Sequence, residues 1–203
     1  MPLPIRTLTD SLNLFVFFPL PASLSPLSLQ RWFQFGAFCP IFRLHGVRDP
    51  GLPKDECGTS GGHNEVWSFG PEAEATLSSL ILLRDQLKEY IARSYQNAQR
   101  TGVPLLRPMV YDFVDSACVG ATDQFLFGLG PYVVAPVYIY QARARDMYLP
   151  ALPQGRQWQY VYNLTQTYPG GQWLRGFPAP LSQFPVFRPV PASEALDALP
   201  GNL

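Results

Sequence analysis

Hydrophobic positions recur along this chain in two rhythms, one helical and one extended. Between Pro71 and Arg100, the residues Leu77, Leu80, Ile81, Leu87, Ile91 and Tyr95 return at steps of three and four. That spacing gathers side chains into one buried stripe and predicts a helix. Pro71 suits a first helical turn, where its missing N–H costs nothing, and Glu72 and Glu74 favour the positive end of the helix dipole. Arg100 and Gly102 mark the stop. A shorter amphipathic helix is predicted over residues 28–38, ended by Pro40, which lacks the N–H donor and clashes with the preceding turn. Ile41-Phe42-Arg43-Leu44 then reads as a short strand ending at His45-Gly46. Residues 48–63 are rich in Gly, Pro and Asp and have loop chemistry.

After Gly120 the rhythm changes. Residues 132–140, 145–149, 158–164, 172–174 and 184–188 are β-branched and aromatic strand candidates. Turn chemistry at Pro153-Gln154-Gly155 and Pro169-Gly170-Gly171 separates them. Before the change, residues 103–113 read as a buried strand, although Pro104 and Pro108 argue against a regular central one. A helix followed by such a strand fits the last βα units of a (β/α)8 barrel, which the pattern alone does not single out. The fold class expected is α/β plus β: barrel units over residues 28–118, then a small antiparallel β-sandwich domain over 119–203, with the change of character between 114 and 122.

Composition alters this picture little. Lys+Arg and Asp+Glu both number 15, so the net charge is zero, which argues against nucleic acid or an anionic membrane as partner. The 22 prolines among 203 residues are about twice the usual share. With so many large apolar residues, the chain is a loop-rich ordered protein and not a disordered one. Cys39, Cys57 and Cys118 lie far apart, and only His45 and His63 accompany them, so no metal site is expected. They read as buried or loop thiols, or as one disulfide with a thiol left over if the chain is secreted.

Several segments together carry a resemblance. Arg31-Trp32-Phe33-Gln34-Phe35-Gly36-Ala37-Phe38-Cys39-Pro40-Ile41-Phe42-Arg43-Leu44-His45-Gly46, followed after a loop by Asn64-Glu65-Val66-Trp67-Ser68-Phe69-Gly70, resembles the late barrel region of glycoside hydrolase family 31, the α-glucosidases and α-xylosidases. Gly102-Val103-Pro104-Leu105-Leu106-Arg107-Pro108 with Tyr111-Asp112-Phe113 is similar to that family's last barrel strand. Thr122-Asp123-Gln124-Phe125-Leu126-Phe127-Gly128 and Val133-Val134-Ala135-Pro136-Val137 resemble the crossing into its C-terminal β-sandwich. Tyr148-Leu149-Pro150, Tyr168-Pro169-Gly170-Gly171-Gln172 and Phe184-Pro185-Val186-Phe187-Arg188 follow in the family's order. No one of these is specific, but the ordered set is. The resemblance covers about residues 28–190, and Phe42-Arg43-Leu44-His45-Gly46 leans toward the α-xylosidases.

The resemblance implies retaining hydrolysis of α-glycosides. That chemistry uses one carboxylate as nucleophile and a second as acid and base, about 5–5.5 Å apart. In the family both are aspartates upstream of the Arg-Trp segment, so the chain is expected to be a C-terminal fragment without the catalytic pair. Asp10, Asp49, Asp55, Asp112, Asp115 and Asp123 have other contexts and read as solvated or capping carboxylates, so no catalytic residue is assigned. His45 is the residue the family match assigns to sugar binding, as a hydrogen-bonding partner for a sugar hydroxyl. Trp67 offers an apolar face to a sugar ring or packs inside, and Arg43 and Arg107 read as internal anchors. The expected partner is an oligosaccharide or α-glycoside, with no cofactor, nucleic acid or membrane.

Two questions stay open. Residues 1–27 fit either a signal peptide, with Arg6, the apolar run 12–18 and the small residues Ala22 and Ser23, or a leader foreign to the fold. The run is too short and proline-broken to cross a membrane. Asn163-Leu164-Thr165 has the pattern of a glycan acceptor, which matters only for a secreted chain. The competing function is a non-catalytic carbohydrate-binding or interaction module built on the β-domain, with Trp158, Tyr160, Tyr162 and Trp173 as its platform. Alternation puts Trp158, Tyr160 and Tyr162 on one face, which is more often a core face.

Overall fold

The computed structural model describes residues 26–44 and 65–192. Helix α1, Pro26–Ala37, opens on proline and covers most of the predicted span. Leu29, Phe33 and Ala37 lie one turn apart on its buried side, continued by Phe38. Residues 41–44, expected as a strand, adopt no strand. A strand needs a ladder partner, and none among the described residues pairs with this segment. Side chains hold the preceding carbonyls instead: Arg84 donates to those of Ala37, Cys39 and Pro40, and the Tyr95 hydroxyl to that of Pro40.

The long predicted helix is present as two abutting pieces, α2 (Pro71–Gln86) and α3 (Lys88–Thr101). Leu87 joins them in near-helical geometry, its N–H reaching the Leu83 carbonyl at 3.0 Å. Gly102 closes α3 at φ 78°, in the left-handed conformation that favours glycine. The stripe differs from the sequence expectation. Ala73, Thr76, Leu77, Leu80, Leu83, Leu87, Ile91 and Ser94 are buried, whereas Ile81 and Tyr95 are 42% and 44% exposed. The run Leu80-Ile81-Leu82-Leu83 fits more than one helical register, and packing against α1 selects the one containing Leu80 and Leu83.

Eight strands follow: β1 Leu106–Pro108, β2 Phe125–Phe127, β3 Tyr132–Val134, β4 Ala144–Leu149, β5 Arg156–Tyr160, β6 Asn163–Tyr168, β7 Gln172–Pro178 and β8 Val186–Pro191. All the pairings are antiparallel. A six-stranded sheet runs β1-β2-β3-β8-β5-β6, and β4 and β7 form a second sheet. Alternation along β2 explains how these layers stack. Phe125 and Phe127 join the apolar cluster of α1 and α2, while Leu126 joins Met147, Leu149 and Phe177 of the smaller sheet. Val134 and Val133, then Val186 and Phe187, divide the same way. The large sheet is therefore the middle layer, helices on one face and β4–β7 on the other. That double burial makes β2 and β3 continuously apolar.

Three strand candidates changed most. The span 132–140 shrinks to β3, because residues 139–142 form a turn in which the Ala142 N–H bonds the Ile139 carbonyl. The span 158–164 is a hairpin, β5 to β6, turning at Val161 and Tyr162. The span 103–113 holds only β1, whose register pairs Arg107 with Leu126 of the antiparallel sheet, followed by a 3-10 turn at Met109–Tyr111. A five-residue helix, α4, Ser116–Gly120, leads to β2.

Candidate sugar-binding site

The route toward the expected sugar contact is fixed by two arginines acting on backbone carbonyls. Arg31 on α1 reaches across to the β-domain, where its guanidinium donates to the carbonyls of Ala179 (2.5 Å), Ala142 (3.1 Å), Pro180 (3.1 Å) and Gln183 (3.3 Å). Gln34, one turn on, donates to the Leu181 carbonyl at 2.7 Å. Burial, and secondarily the charge of Arg143, pull the Arg31 pKa down to about 10. Arg84 holds the other side of the segment through carbonyls 2.8–2.9 Å away. Phe42 stacks edge-on against Phe33, with centroids 4.7 Å apart. The clamped chain thus arrives at Leu44 in a defined position, and His45 itself lies outside the described residues, as do His63, Asp10, Asp49, Asp55 and Cys57.

Trp67 sits on a 3-10 turn, Val66–Phe69, at the start of the second described stretch. It is 64% exposed, so its ring is open to solvent and is not packed in the core. Arg43 is also exposed. Arg107, in contrast, is buried and forms a fork on Asp112 at 3.0 and 2.5 Å while also donating to the carbonyls of Pro104 and Gly128. It is the internal anchor the sequence reading expected.

The described carboxylates considered as catalytic stand-ins all serve as anchors. Asp112 holds Arg107. Asp115 accepts the Tyr148 hydroxyl at 2.9 Å and the Ala151 N–H at 2.6 Å. Asp123 accepts the Tyr138 hydroxyl at 3.0 Å and pairs with Arg145 at 2.9 Å. Cys39 and Cys118 are buried free thiols, pushed up by burial to about 12 and about 11. Among the described residues no group of His, Cys, Asp and Glu is placed to hold a metal, and no helix is long and apolar enough to cross a membrane.

Three of the four aromatics of the module reading do not form a surface. Trp158 is fully buried, and its indole N–H donates to the Pro150 carbonyl at 2.8 Å. Tyr160 packs on Phe177 and Phe187, and Tyr162 on Phe184. Trp158 and Tyr160 are core side chains, and Tyr162 is half-buried against the core. Trp173 is 38% exposed, with Arg175 over its ring at 4.6 Å. Beside Trp173, the exposed aromatics of the β-domain are Tyr138 and Tyr140, which the sequence hid inside an apparent strand.

Comparison with known proteins agrees with this layout in order and position. The Glycosyl hydrolases family 31 TIM-barrel domain profile matches residues 18–94, and the Glycosyl hydrolase family 31 C-terminal domain profile matches residues 102–189. The chain belongs to glycoside hydrolase family 31. Its helical part is a portion of the family's TIM barrel, and the antiparallel part is the C-terminal domain. The family's enzymes are glycosidases, acting on O-glycosyl compounds.

Among curated relatives, Alpha-xylosidase A of Aspergillus niger is 31% identical over 172 residues, covering 77% of this chain and 22% of that protein. Neutral alpha-glucosidase AB of Sus scrofa is 31% identical over 164 residues, covering 80% and 16%. A family 31 α-xylosidase from a soil metagenome, solved with xylose, superposes with a TM-score of 0.73 at 35% identity, covering 85% of this chain and 26% of that one. The chain thus spans about a fifth of the length of the curated relatives it matches.

Proposed function

We propose that this chain supplies the late barrel segment and C-terminal domain of a retaining α-glycosidase, with an α-xyloside or α-glucoside as substrate. His45 would hydrogen-bond a hydroxyl of the bound sugar, and Trp67 would offer its ring to the sugar's apolar face. Retaining hydrolysis needs two carboxylates about 5–5.5 Å apart. On this reading neither is among the 203 residues, and this chain's part in the reaction is to bind and orient. The observation that carries the reading is the consecutive match to both family 31 domains, over residues 18–94 and 102–189. The anchoring contacts of Asp112, Asp115 and Asp123 support the absence of a catalytic pair. The solvent-open ring of Trp67 supports its role in binding. The lean toward xylosides rests on Phe42-Arg43-Leu44-His45-Gly46 and on the α-xylosidases among the relatives.

The test is hydrolysis of aryl α-xylosides and α-glucosides by the purified chain, beside titration with xylose and glucose. The expected result is saturable sugar binding that weakens at least tenfold in His45→Ala or Trp67→Ala, with no turnover above buffer. Turnover by the chain alone, lost on substituting one of its own aspartates, would overturn the assignment of roles. Binding that ignores both substitutions would overturn the sugar site.

A further inference from the structure

A second place on the β-domain has the chemistry of a sugar subsite. Tyr138, Ile139 and Tyr140 are three consecutive large side chains, 55%, 61% and 63% exposed. They ride on the turn that follows β3, and the next residue, Gln141, has φ 62°. It is the one described non-glycine residue in the left-handed region. Such strain persists only where its surroundings hold it, and it concentrates at functional positions. The turn borders a cleft of about 230 Å³ lined by Tyr138 and Ile139 together with Asp123, Arg145 and Asp146. That volume lies below the range of about 300–1,000 Å³ usual for drug-sized ligands and suits a single ring.

The base of the cleft is rigid. The Arg145 side chain is 7% exposed and pairs with Asp123 at 2.9 Å. Its guanidinium also donates to the carbonyls of Asp123, Pro136 and Asp146 and lies 5.8 Å from the Tyr138 ring centroid. The Tyr138 hydroxyl is held by Asp123 at 3.0 Å, which fixes the ring before any ligand arrives. Asp146 is steadied by Arg175 and the Gly176 N–H, each at 2.7 Å. Arg31 pins the Ala142 carbonyl under the same turn.

An aromatic face beside fixed carboxylates matches a pyranose, which presents C–H bonds on its faces and hydroxyls around its edge. A carboxylate has about four acceptor positions, and the contacts named here fill only part of those on Asp123 and Asp146. A lipid or an apolar peptide would bring no donors to the acceptor positions that Arg145, Arg175 and their neighbours leave open on these carboxylates. We propose that the Tyr138–Tyr140 turn and this cleft form an accessory saccharide-binding subsite on the C-terminal domain, apart from Trp67. It takes one ring of a neutral α-linked oligosaccharide and holds a longer chain against the protein. The proposal rests on the saccharide reading given above.

Aromatic-detected NMR titration of the full chain with maltotriose and with xyloglucan oligosaccharides tests it, because tyrosine and tryptophan signals report the two places separately. The expected result is saturable shifts at Tyr138 and Tyr140 that weaken at least fivefold in Tyr140→Ala, with unchanged circular dichroism and melting temperature. Tyr138→Phe keeps the ring and is expected to retain most of the binding, whereas Tyr138→Leu loses it. Shifts confined to Trp67 would overturn the subsite and leave the barrel-side site standing. Shifts at the tyrosines with none at Trp67 would support the subsite and count against the barrel-side site. No shift at Tyr138 or Tyr140 with either sugar overturns the subsite.

Discussion

Single residues at close contacts set the strictest local requirements. Gly170 needs to be glycine because of space: a Cβ there would lie 2.2 Å from the Pro150 carbonyl oxygen and 2.8 Å from the Leu152 nitrogen. Backbone cannot move aside as a flexible side chain can, so Gly170→Ala is expected to cost about 1–3 kcal/mol, read as a lower urea midpoint. Arg107 is limited by charge and not by space. Its removal strands Asp112 and the carbonyls of Pro104 and Gly128. Arg107→Ala should cost about 3 kcal/mol, as for other broken buried pairs, and Arg107→Lys should recover only part of it, since an ammonium cannot make the fork. A loss below about 0.5 kcal/mol would contradict the anchor role. The Tyr168-Pro169-Gly170-Gly171 and Arg107 motifs were both visible in the sequence. Arg31 and Arg84 were not legible as clamps, because their acceptors are carbonyls distant in sequence or in an irregular turn.

At the level of elements, helix faces are decided by what they pack against. Leu80 is 2% exposed and Ile81 42%, so Leu80→Ala should cost about 2–5 kcal/mol and Ile81→Ala about 0.5 kcal/mol or less. Equal losses would mean the stripe is placed wrongly. The same principle explains which strands the sequence concealed. The β5–β6 hairpin turns at Val161-Tyr162, an apolar pair without the Asn-Gly or Gly signature of tight hairpins, so the residues read as one strand. β8 contains Pro189 and Pro191, which ordinarily bar a central strand. It has ladder partners on both sides only at Phe187, and β3 reaches no further than Val186 and Phe187, so its prolines face β5 alone. The helix from Pro71 and its Gly102 stop were legible because they depend on local chemistry. Residues 41–44 were misread because a strand depends on a partner that local sequence does not name.

Across the whole molecule, the middle sheet and the Arg31 clamp tie the partial barrel to the C-terminal domain. This arrangement makes the fold sensitive to alkali. Burial raises Cys39 to about 12, Cys118 to about 11 and Tyr160 to about 12, and pushes Tyr90 and Tyr162 up as well. Above about pH 9 the unfolded chain releases protons that the folded chain keeps, so unfolding becomes more favourable as pH rises. Stability from these groups is full below pH 9 and declines through pH 12. Arg31 and Arg84, lowered by burial, oppose this but are outnumbered. Urea midpoints should therefore hold steady from pH 7 to 9 and fall above it, and a rising midpoint there would contradict the burial of these side chains. Fold class and family were legible in the ordered motifs, but which aromatic rings face solvent was not. Trp158, Tyr160 and Tyr162 alternate as a platform would, and only the second sheet and Phe184 show that the first two are covered and Tyr162 half-buried.

The central claim is that this chain holds a sugar with its late barrel segment. The most direct measurement is the change in tryptophan fluorescence as xylose is added to the full chain and to Trp67→Phe. The account predicts a saturable change in the parent chain that disappears in the variant while the melting temperature stays the same. An unchanged titration in Trp67→Phe, or no response to xylose or glucose at any concentration, would contradict it.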